Sequence, residues 1–215
     1  IIEEICRRRG VQKNDPSIQR EFYGKWIEDT DSLVFKFNKN LNVYNGQIDT
    51  ENFDFIFGVD IGYNDADSIS VLGYNRTDKN VYLVEEHVKN KQSISQLVAE
   101  IEKLRTKYNT IRMVMDAGAL GKKIQEEIRM RFGIPLEAAD KTRKFEFIEL
   151  LNDDLRTGRF KAVPGTKFEE DCFLVQWDRS NPEKPKISDA YHSDACFVAG
   201  TKILTDKGPV NIEEV

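Results

Sequence analysis

The sequence predicts an α/β fold: a mixed β-sheet with helices packed on both of its faces. Three short runs rich in β-branched and aromatic residues, over 55–61, 68–74 and 81–88, follow one another with short turns. That arrangement is typical of an antiparallel three-strand meander. From residue 93 onward, helical and strand patterns alternate, which favours parallel strands added beside the meander.

The elements after the meander follow from hydrophobic spacing. Apolar residues at helical intervals predict a helix over 93–108, with Ser93 as its N-cap. The same criteria predict strands over 111–115 and 134–138 and helices over 121–132, 141–157, 168–177 and 189–195. They leave the type of the short run over 160–163 open.

The first fifty residues carry weaker patterns. Short helices are predicted over 1–10 and 18–26, the second beginning after the Asp15-Pro16-Ser17 start signal. Residues 33–46 mix Asn and Lys with aromatic residues, which predicts irregular structure packed against the main domain.

Length and composition restrict the class of protein. The 215 residues, with 40% hydrophobic and 32% charged side chains, suit one substantial core of a soluble globular protein. No membrane-spanning apolar run and no leader peptide are expected, so no membrane partner is predicted.

Cys6, Cys172 and Cys196 are scattered, which argues against a disulfide framework or a zinc site and for a reducing, intracellular setting.

The net charge of −5 repels nucleic acid mildly, so a nucleic-acid partner would need a local basic patch. No GxxxxGK[ST] loop for nucleotide phosphates is present.

Two predicted strands end in an acidic residue followed closely by glycine: Asp60-Ile61-Gly62 and Asp116-Ala117-Gly118. If these strands are neighbours, their carboxyl ends bring both carboxylates within a few ångströms. Close carboxylates repel each other unless a divalent cation lies between them. Hard oxygen ligands favour Mg²⁺ or Mn²⁺ over zinc, and with Asp194 as a third ligand two ions could be held.

Each acidic candidate also has an ordinary structural interpretation. Asp-x-Gly is a common turn motif, and Asp65 and Asp67 lie in the predicted hairpin turn, where aspartate caps backbone groups. Either could instead support a metal from its second coordination sphere. His192, two positions before Asp194, is either a partly buried polar residue or a further ligand or supporting group.

The motifs GVDIGYNDADSISVLGYN (58–75), MVMDAGALGKKIQEEI (113–128) and YHSDA (191–195) resemble the C-terminal nuclease domain of phage large terminases. Upstream, NDPSIQREFYGKWIED (14–29) is similar to the segment joining that family's ATPase and nuclease domains. The resemblance implies an RNase H-like fold, with Asp60, Asp116 and Asp194 as ligands of two Mg²⁺ or Mn²⁺ ions.

The resemblance also implies function, partners and domain limits. It implies endonucleolytic cleavage of double-stranded DNA with little sequence preference, in the host cell cytoplasm during viral assembly. The implied partners are the terminase's own ATPase domain, which this chain lacks, the portal and the small terminase subunit. The domains expected are a junction segment over 1–50, a nuclease domain over 51–195 and a tail over 196–215.

Five basic residues are candidate DNA contacts. Lys122 and Lys123 follow the Asp116 loop, and Lys141, Arg143 and Lys144 open the next long helix. Cations at helix N-termini can hold phosphates. The alternative is that they are solvated helix ends.

The tail CFVAGTKILTDKGPVNIEEV (196–215) resembles the first block of an intein. The resemblance implies that the thiol of Cys196 is a nucleophile toward the carbonyl of Ala195. Later intein blocks are missing, so we expect no splicing from this chain and a helix around Asp194 that is interrupted by the insertion. The alternative is an ordinary hairpin ending the domain.

Two other functions compete with the nuclease. An actin-like or sugar-kinase-like ATPase also begins with an Asp-Gly hairpin, but it needs a second such lobe and about twice this length. A non-catalytic DNA-binding or portal-docking module would carry the same carboxylates as vestiges.

Overall fold

The computed structural model describes residues 2–9, 12–13, 22–23, 32–49, 51–62, 66–75, 77–116, 121–139, 142–178, 186–187, 202–205 and 208–211. Residues 1–33 and 34–215 are separate compact units, and the first contains helix α1, Ile2–Arg9. The second contains, in chain order, α2 Lys39–Asn42, β1 Asp54–Asp60, β2 Ala66–Tyr74, β3 Val81–Asn90, α3 Ile94–Lys107, β4 Thr110–Met115, α4 Gly121–Phe132, β5 Glu137–Ala138, α5 Lys144–Thr157, β6 Phe160–Ala162, α6 Lys167–Cys172, β7 Trp177–Asp178, β8 Lys186–Ile187, β9 Lys202–Thr205 and β10 Gly208–Asn211.

One mixed sheet organises the second unit, with strand order β5-β4-β1-β2-β3-β6. Strands β1, β2 and β3 form the predicted antiparallel meander, and β4 pairs with β1 in parallel. Strands β5 and β6 extend the two sides, each parallel to its neighbour. The predicted α/β class with a mixed sheet is confirmed.

Both faces of this sheet are covered. On β1, Phe57 and Val59 point into a core that α3 supplies with Leu97 and Ile101 and α4 supplies with Ile128. The alternate residue Ile56 points into a second core. That core contains Leu72 of β2, Leu151 and Leu155 of α5, and Phe168 of α6. Strand alternation therefore divides the sheet into an α3/α4 face and an α5/α6 face.

Helix α3 begins as the sequence predicts. The Ser93 side chain accepts the backbone N–H of Gln96 at 3.3 Å, and the Gln96 side chain accepts the Ser93 N–H at 2.9 Å. This reciprocal capping box satisfies two backbone donors that a helix start leaves open. Helix α4 has the predicted limits, and the predicted strand ends differ from the observed ones by at most three residues.

Two helix predictions need correction. The helix predicted to open at residue 141 begins at Lys144. The helix predicted over 168–177 ends at Cys172, because the following chain turns back to pair with an earlier segment. There Val175 is fully buried, its carbonyl accepts the N–H of Val34 at 3.0 Å, and Trp177 lies in β7. Tertiary packing of Val175 overrides the helical pattern.

Two buried asparagines attach the segment before β1 to the domain. The Asn152 side chain donates to the Val34 carbonyl and accepts the N–H of Lys36, both at 2.9 Å. The Asn42 side chain donates to the carbonyls of Leu155 and Phe160, at 3.0 and 2.9 Å. The sequence predicted packing here, but it missed the short helix α2 that presents Asn42.

Two predicted features lie outside the described residues: most of the helix over 18–26 and the helix over 189–195. Among the helices that are described, none is long and apolar enough to cross a bilayer.

Strand β3 contacts helix α6 through Glu86. The Glu86 carboxylate accepts the backbone N–H groups of Lys167 and Phe168 in the first turn of α6. Burial raises the pKa of Glu86 from 4.5 to about 7, although these hydrogen bonds act in the opposite direction. Asp171, which lies 3.0 Å from the Lys167 ammonium, adds a smaller upward contribution.

We predict that Glu86 makes the folded chain less stable as pH rises from about 4.5 to 7. In this range the folded state keeps a proton on Glu86 that the unfolded chain releases, so the free energy of unfolding falls. Glu86→Gln removes this titration. Between pH 4.5 and pH 8, the free energy of unfolding of this variant should rise by on the order of 3 kcal/mol relative to that of the parent. Urea unfolding at each pH measures this difference. Glu126→Gln on the exposed side of α4 is the control; equal pH dependence of the Glu86→Gln variant and the parent would contradict the prediction.

Candidate metal centre at the carboxyl ends of two parallel strands

Asp60 and Asp116 occupy equivalent positions at the carboxyl ends of two neighbouring strands of the sheet. Asp60 is the last residue of β1, and Asp116 directly follows β4. The two strands pair in parallel, with Val59 opposite Met115, and the Asp116 N–H extends the ladder to the Val59 carbonyl at 3.0 Å. Neighbouring strands are about 4.8 Å apart, so the two residues lie side by side, as the sequence predicts.

The two aspartates also share a face. Val59 and Met115 both point into the core under α3 and α4. The next residue on each strand, Asp60 and Asp116, therefore points to the α5/α6 face. Both are half-buried, so electrostatic interactions between them are screened less than on an open surface. Their placement agrees with a metal site, while their role as ligands stays a prediction.

A buried carboxylate holds the chain where it leaves β1. The Gly62 N–H donates to Oδ1 of Asp67 at 3.1 Å, and Asp67 is 5% exposed. Burial raises the pKa of Asp67, while the Gly62 hydrogen bond and the nearby His87 act to lower it. Ser68 pairs with Asp60, so the side chains of these two residues share a face. Asp67 precedes Ser68 on β2 and therefore points to the other face, the α3/α4 face that also takes Ile69. It therefore lies on the opposite face from Asp60.

A glycine lets helix α4 begin close against Asp116. A Cβ atom built on Gly121 would lie 2.7 Å from the backbone oxygen of Asp116. Real Cβ atoms are not found that close to a backbone atom, so any larger residue would displace Asp116 or the helix start. The sequence motif shows this glycine, but the contact that requires it appears only in three dimensions.

The remaining acidic candidates are not placed. Asp65, Asp194 and His192 lie outside the described residues, as does Cys196. Among the residues that are described, no three His, Cys, Asp or Glu side chains cluster in a way that could hold a metal ion. Asp60 and Asp116 thus form a pair of hard oxygen donors, and the donor chemistry fits Mg²⁺ or Mn²⁺.

The basic candidates begin two helices at this same edge. Lys122 and Lys123 are exposed in the first turn of α4, which follows β4. Arg143 is the N-cap residue of α5 and Lys144 its first helical residue, and this helix follows β5, the parallel neighbour of β4. The Arg143 guanidinium also lies 3.6 Å from Glu146 and over the Phe147 ring. Lys141 lies outside the described residues.

Sequence reasoning did not single out Glu86. The signal was present in the pair Glu85-Glu86 inside a strand, because alternation forces one of two adjacent side chains toward each face. The structure shows Glu85 with Lys107 and Tyr108 on the α3 side and Glu86 against α6.

Comparison with known proteins identifies the kind of domain. A family model described as the terminase RNaseH-like domain matches residues 54–171. No curated protein sequence matches.

Three solved structures illustrate the similarity. The large terminase of a thermophilic bacteriophage, in complex with ATP-gamma-S, has a TM-score of 0.66 at 14% identity, covering 93% of this chain and 52% of that one. The large terminase nuclease of thermophilic phage G20c with bound magnesium has a TM-score of 0.60 at 19% identity, covering 76% and 92%. The nuclease domain of bacteriophage SPP1 with bound Mn has a TM-score of 0.55 at 14% identity, covering 75% and 92%.

The family model and the similar folds of these structures together confirm the expected RNase H-like fold. This chain spans about half the length of the large terminase from the thermophilic bacteriophage. In four structures of that protein, the part that this chain matches is 41%, 52%, 49% and 49% of the length.

Proposed function

This chain belongs to the terminase RNase H-like domain family, and from that premise we propose that it is the metal-dependent endonuclease part of a viral DNA-packaging terminase. It cleaves phosphodiesters of double-stranded DNA with little sequence preference. The observation that carries this proposal is the side-by-side placement of Asp60 and Asp116 at the carboxyl ends of neighbouring parallel strands.

In this proposal Asp60 and Asp116, together with Asp194, hold two Mg²⁺ or Mn²⁺ ions. Such ions, when bound, supply an activated water and stabilise charge on the leaving oxygen of a phosphodiester. The structures of the G20c and SPP1 nucleases, which contain magnesium and Mn, support this choice of metals. The chain itself contributes a rigid strand pair that holds two carboxylates at one edge despite their repulsion.

The family match favours a terminase nuclease over an actin-like or sugar-kinase-like ATPase lobe. A non-catalytic DNA-binding or portal-docking module is the remaining alternative, and an activity assay separates it from the nuclease. The proposed partners beyond DNA are the terminase's ATPase domain, the portal and the small terminase subunit, met in the host cytoplasm.

We further propose that residues 196–215 are the N-terminal fragment of an intein. The supporting pattern is Cys196, then Gly200-Thr201, then the 205–208 Thr-Asp-Lys-Gly run. Within this stretch β9 and β10 pair as an antiparallel hairpin, which agrees equally with an intein start and with an ordinary terminal hairpin.

We expect Mn²⁺-dependent cleavage of supercoiled plasmid by the parent chain and its loss in Asp60→Asn. The substitution keeps the side-chain volume but removes the charge that a divalent ion needs, so the rate should fall by more than about 100-fold. The matched control is Asp78→Asn, since Asp78 is a half-buried turn aspartate between β2 and β3, at the other end of the meander. Equal cleavage by the parent and Asp60→Asn would end the nuclease assignment and leave the non-catalytic module.

We expect the exposed lysines of α4 to contact DNA phosphates without reading sequence. Lys122→Ala combined with Lys123→Ala should weaken binding of unrelated duplexes alike, and the slope of log affinity against log salt should fall by about one per lost contact. Fluorescence anisotropy over a series of salt concentrations measures this. Lys103→Ala on α3, where Lys103 pairs with Glu100, is the control; an unchanged slope in the double variant would exclude α4 from the DNA interface.

The intein proposal predicts what the gene encodes after Val215. Sequencing of the coding DNA should find a later His-containing block and a terminal His-Asn, followed by sequence that continues the helix predicted over 189–195. A coding sequence that runs on as nuclease domain, or stops, with no such block would contradict the proposal.

A further inference from the structure

We infer that Asp67 is a positioning residue for Asp60, acting from the opposite face of the sheet through the backbone of Gly62. The inference rests on the proposed function, because it concerns how one proposed metal ligand is held. Its basis is the 3.1 Å hydrogen bond from the Gly62 N–H to Oδ1 of Asp67.

The hydrogen bond lies where the sheet stops supporting β1. Asp60 opposite Ser68 is the last paired position of the β1–β2 ladder. Gly62 lies beyond that ladder, and a backbone N–H leaving a strand needs another acceptor. Asp67 supplies that acceptor to Gly62, and the bond holds the backbone two residues after Asp60. Without this bond the Gly62 N–H would lose its acceptor, and the backbone that follows Asp60 would be held less firmly.

Asp67 is itself held firmly. It is 5% exposed, belongs to β2 and pairs with Lys89 of β3. His87, opposite the neighbouring Ile69, lies near enough for its charge to act on Asp67. His87 in turn is in hydrogen-bond contact with Gln92 at 2.9 Å and lies 3.7 Å from Glu100 of α3. A buried side chain on a strand paired on both sides offers a well-placed acceptor to the group that it binds.

The face on which Asp67 lies excludes the simpler metal role. Asp60 and Asp116 point to the α5/α6 face, whereas Asp67 shares the α3/α4 face with Ile69 and Val71. A direct bond from Asp67 to an ion shared by the other two carboxylates would have to pass through the sheet. Asp67 therefore acts on the site through the backbone.

The experiment compares Asp67→Ala and Asp67→Asn in the full chain, with Asp78→Ala as the matched control. Asp78 also accepts a turn N–H, that of Asn80 at 3.0 Å, but at the opposite end of the meander. Three quantities are measured: the Mn²⁺ concentration for half-maximal plasmid cleavage, the Mn²⁺-induced rise in Tm, and hydrogen exchange of the Gly62 amide without metal.

In Asp67→Ala the half-maximal Mn²⁺ concentration should rise about tenfold, and the Mn²⁺-induced rise in Tm should shrink. Cleavage at saturating Mn²⁺ should stay near that of the parent, and the Gly62 amide should exchange faster. Asp67→Asn, which keeps an oxygen acceptor, should restore all three. Asp78→Ala should lower Tm alone, because a purely structural loss does not move the metal midpoint.

The inference would be overturned if Asp67→Ala kept the parent's Mn²⁺ concentration for half-maximal cleavage (the Mn²⁺ midpoint) and the parent's rate of hydrogen exchange at the Gly62 amide. If that variant does not fold, Asp67→Glu, which displaces the carboxylate by one methylene, should move the midpoint in the same direction; an unmoved midpoint there overturns it equally. Failure of the proposed function looks different: the parent and Asp60→Asn would then cleave alike, while the Gly62 amide would still exchange faster in Asp67→Ala.

Discussion

The parallel pairing of β1 with β4 is the constraint on which the rest of the structure depends. These strands are far apart in the chain, separated by two strands of the meander and by α3, and nothing local determines their register. Once Val59 lies opposite Met115, the residues that follow, Asp60 and Asp116, must lie side by side on one face. A shift of one residue in either strand would place the two carboxylates on opposite faces.

The core between the sheet and helices α3 and α4 fixes that register. The α3/α4 core takes Phe57 and Val59 from β1 together with Met113 and Met115 from β4, so both strands present their apolar residues to the same side. A shifted register would expose one set of large side chains and bury charge in its place, at a cost of several kcal/mol. Hydrophobic burial on one face therefore stabilises the approach of two like charges on the other.

Close backbone contacts refine the arrangement at the strand ends. Gly121 leaves space for helix α4 to begin against the backbone of Asp116, and Asp67 binds the backbone of Gly62 beyond Asp60. In both cases a residue several positions away contacts the backbone at or near a candidate ligand. Side chains of this kind are ordinary in a sequence, and only their contacts give them a role.

The sequence by itself determined the main strands and helices of the sheet domain and the acidic residues of the candidate site. Runs of β-branched and aromatic residues mark buried strands, and a period of 3.6 marks helices that bury one face, so the meander, α3 with its Ser93 cap, α4 and the acidic strand ends could all be predicted. Only the tertiary structure decided that α6 ends at Cys172, that Asn42 and Asn152 anchor the segment before β1, and that Asp67 lies behind the site rather than in it. Those features depend on partners distant in the chain, about which local propensity carries no information.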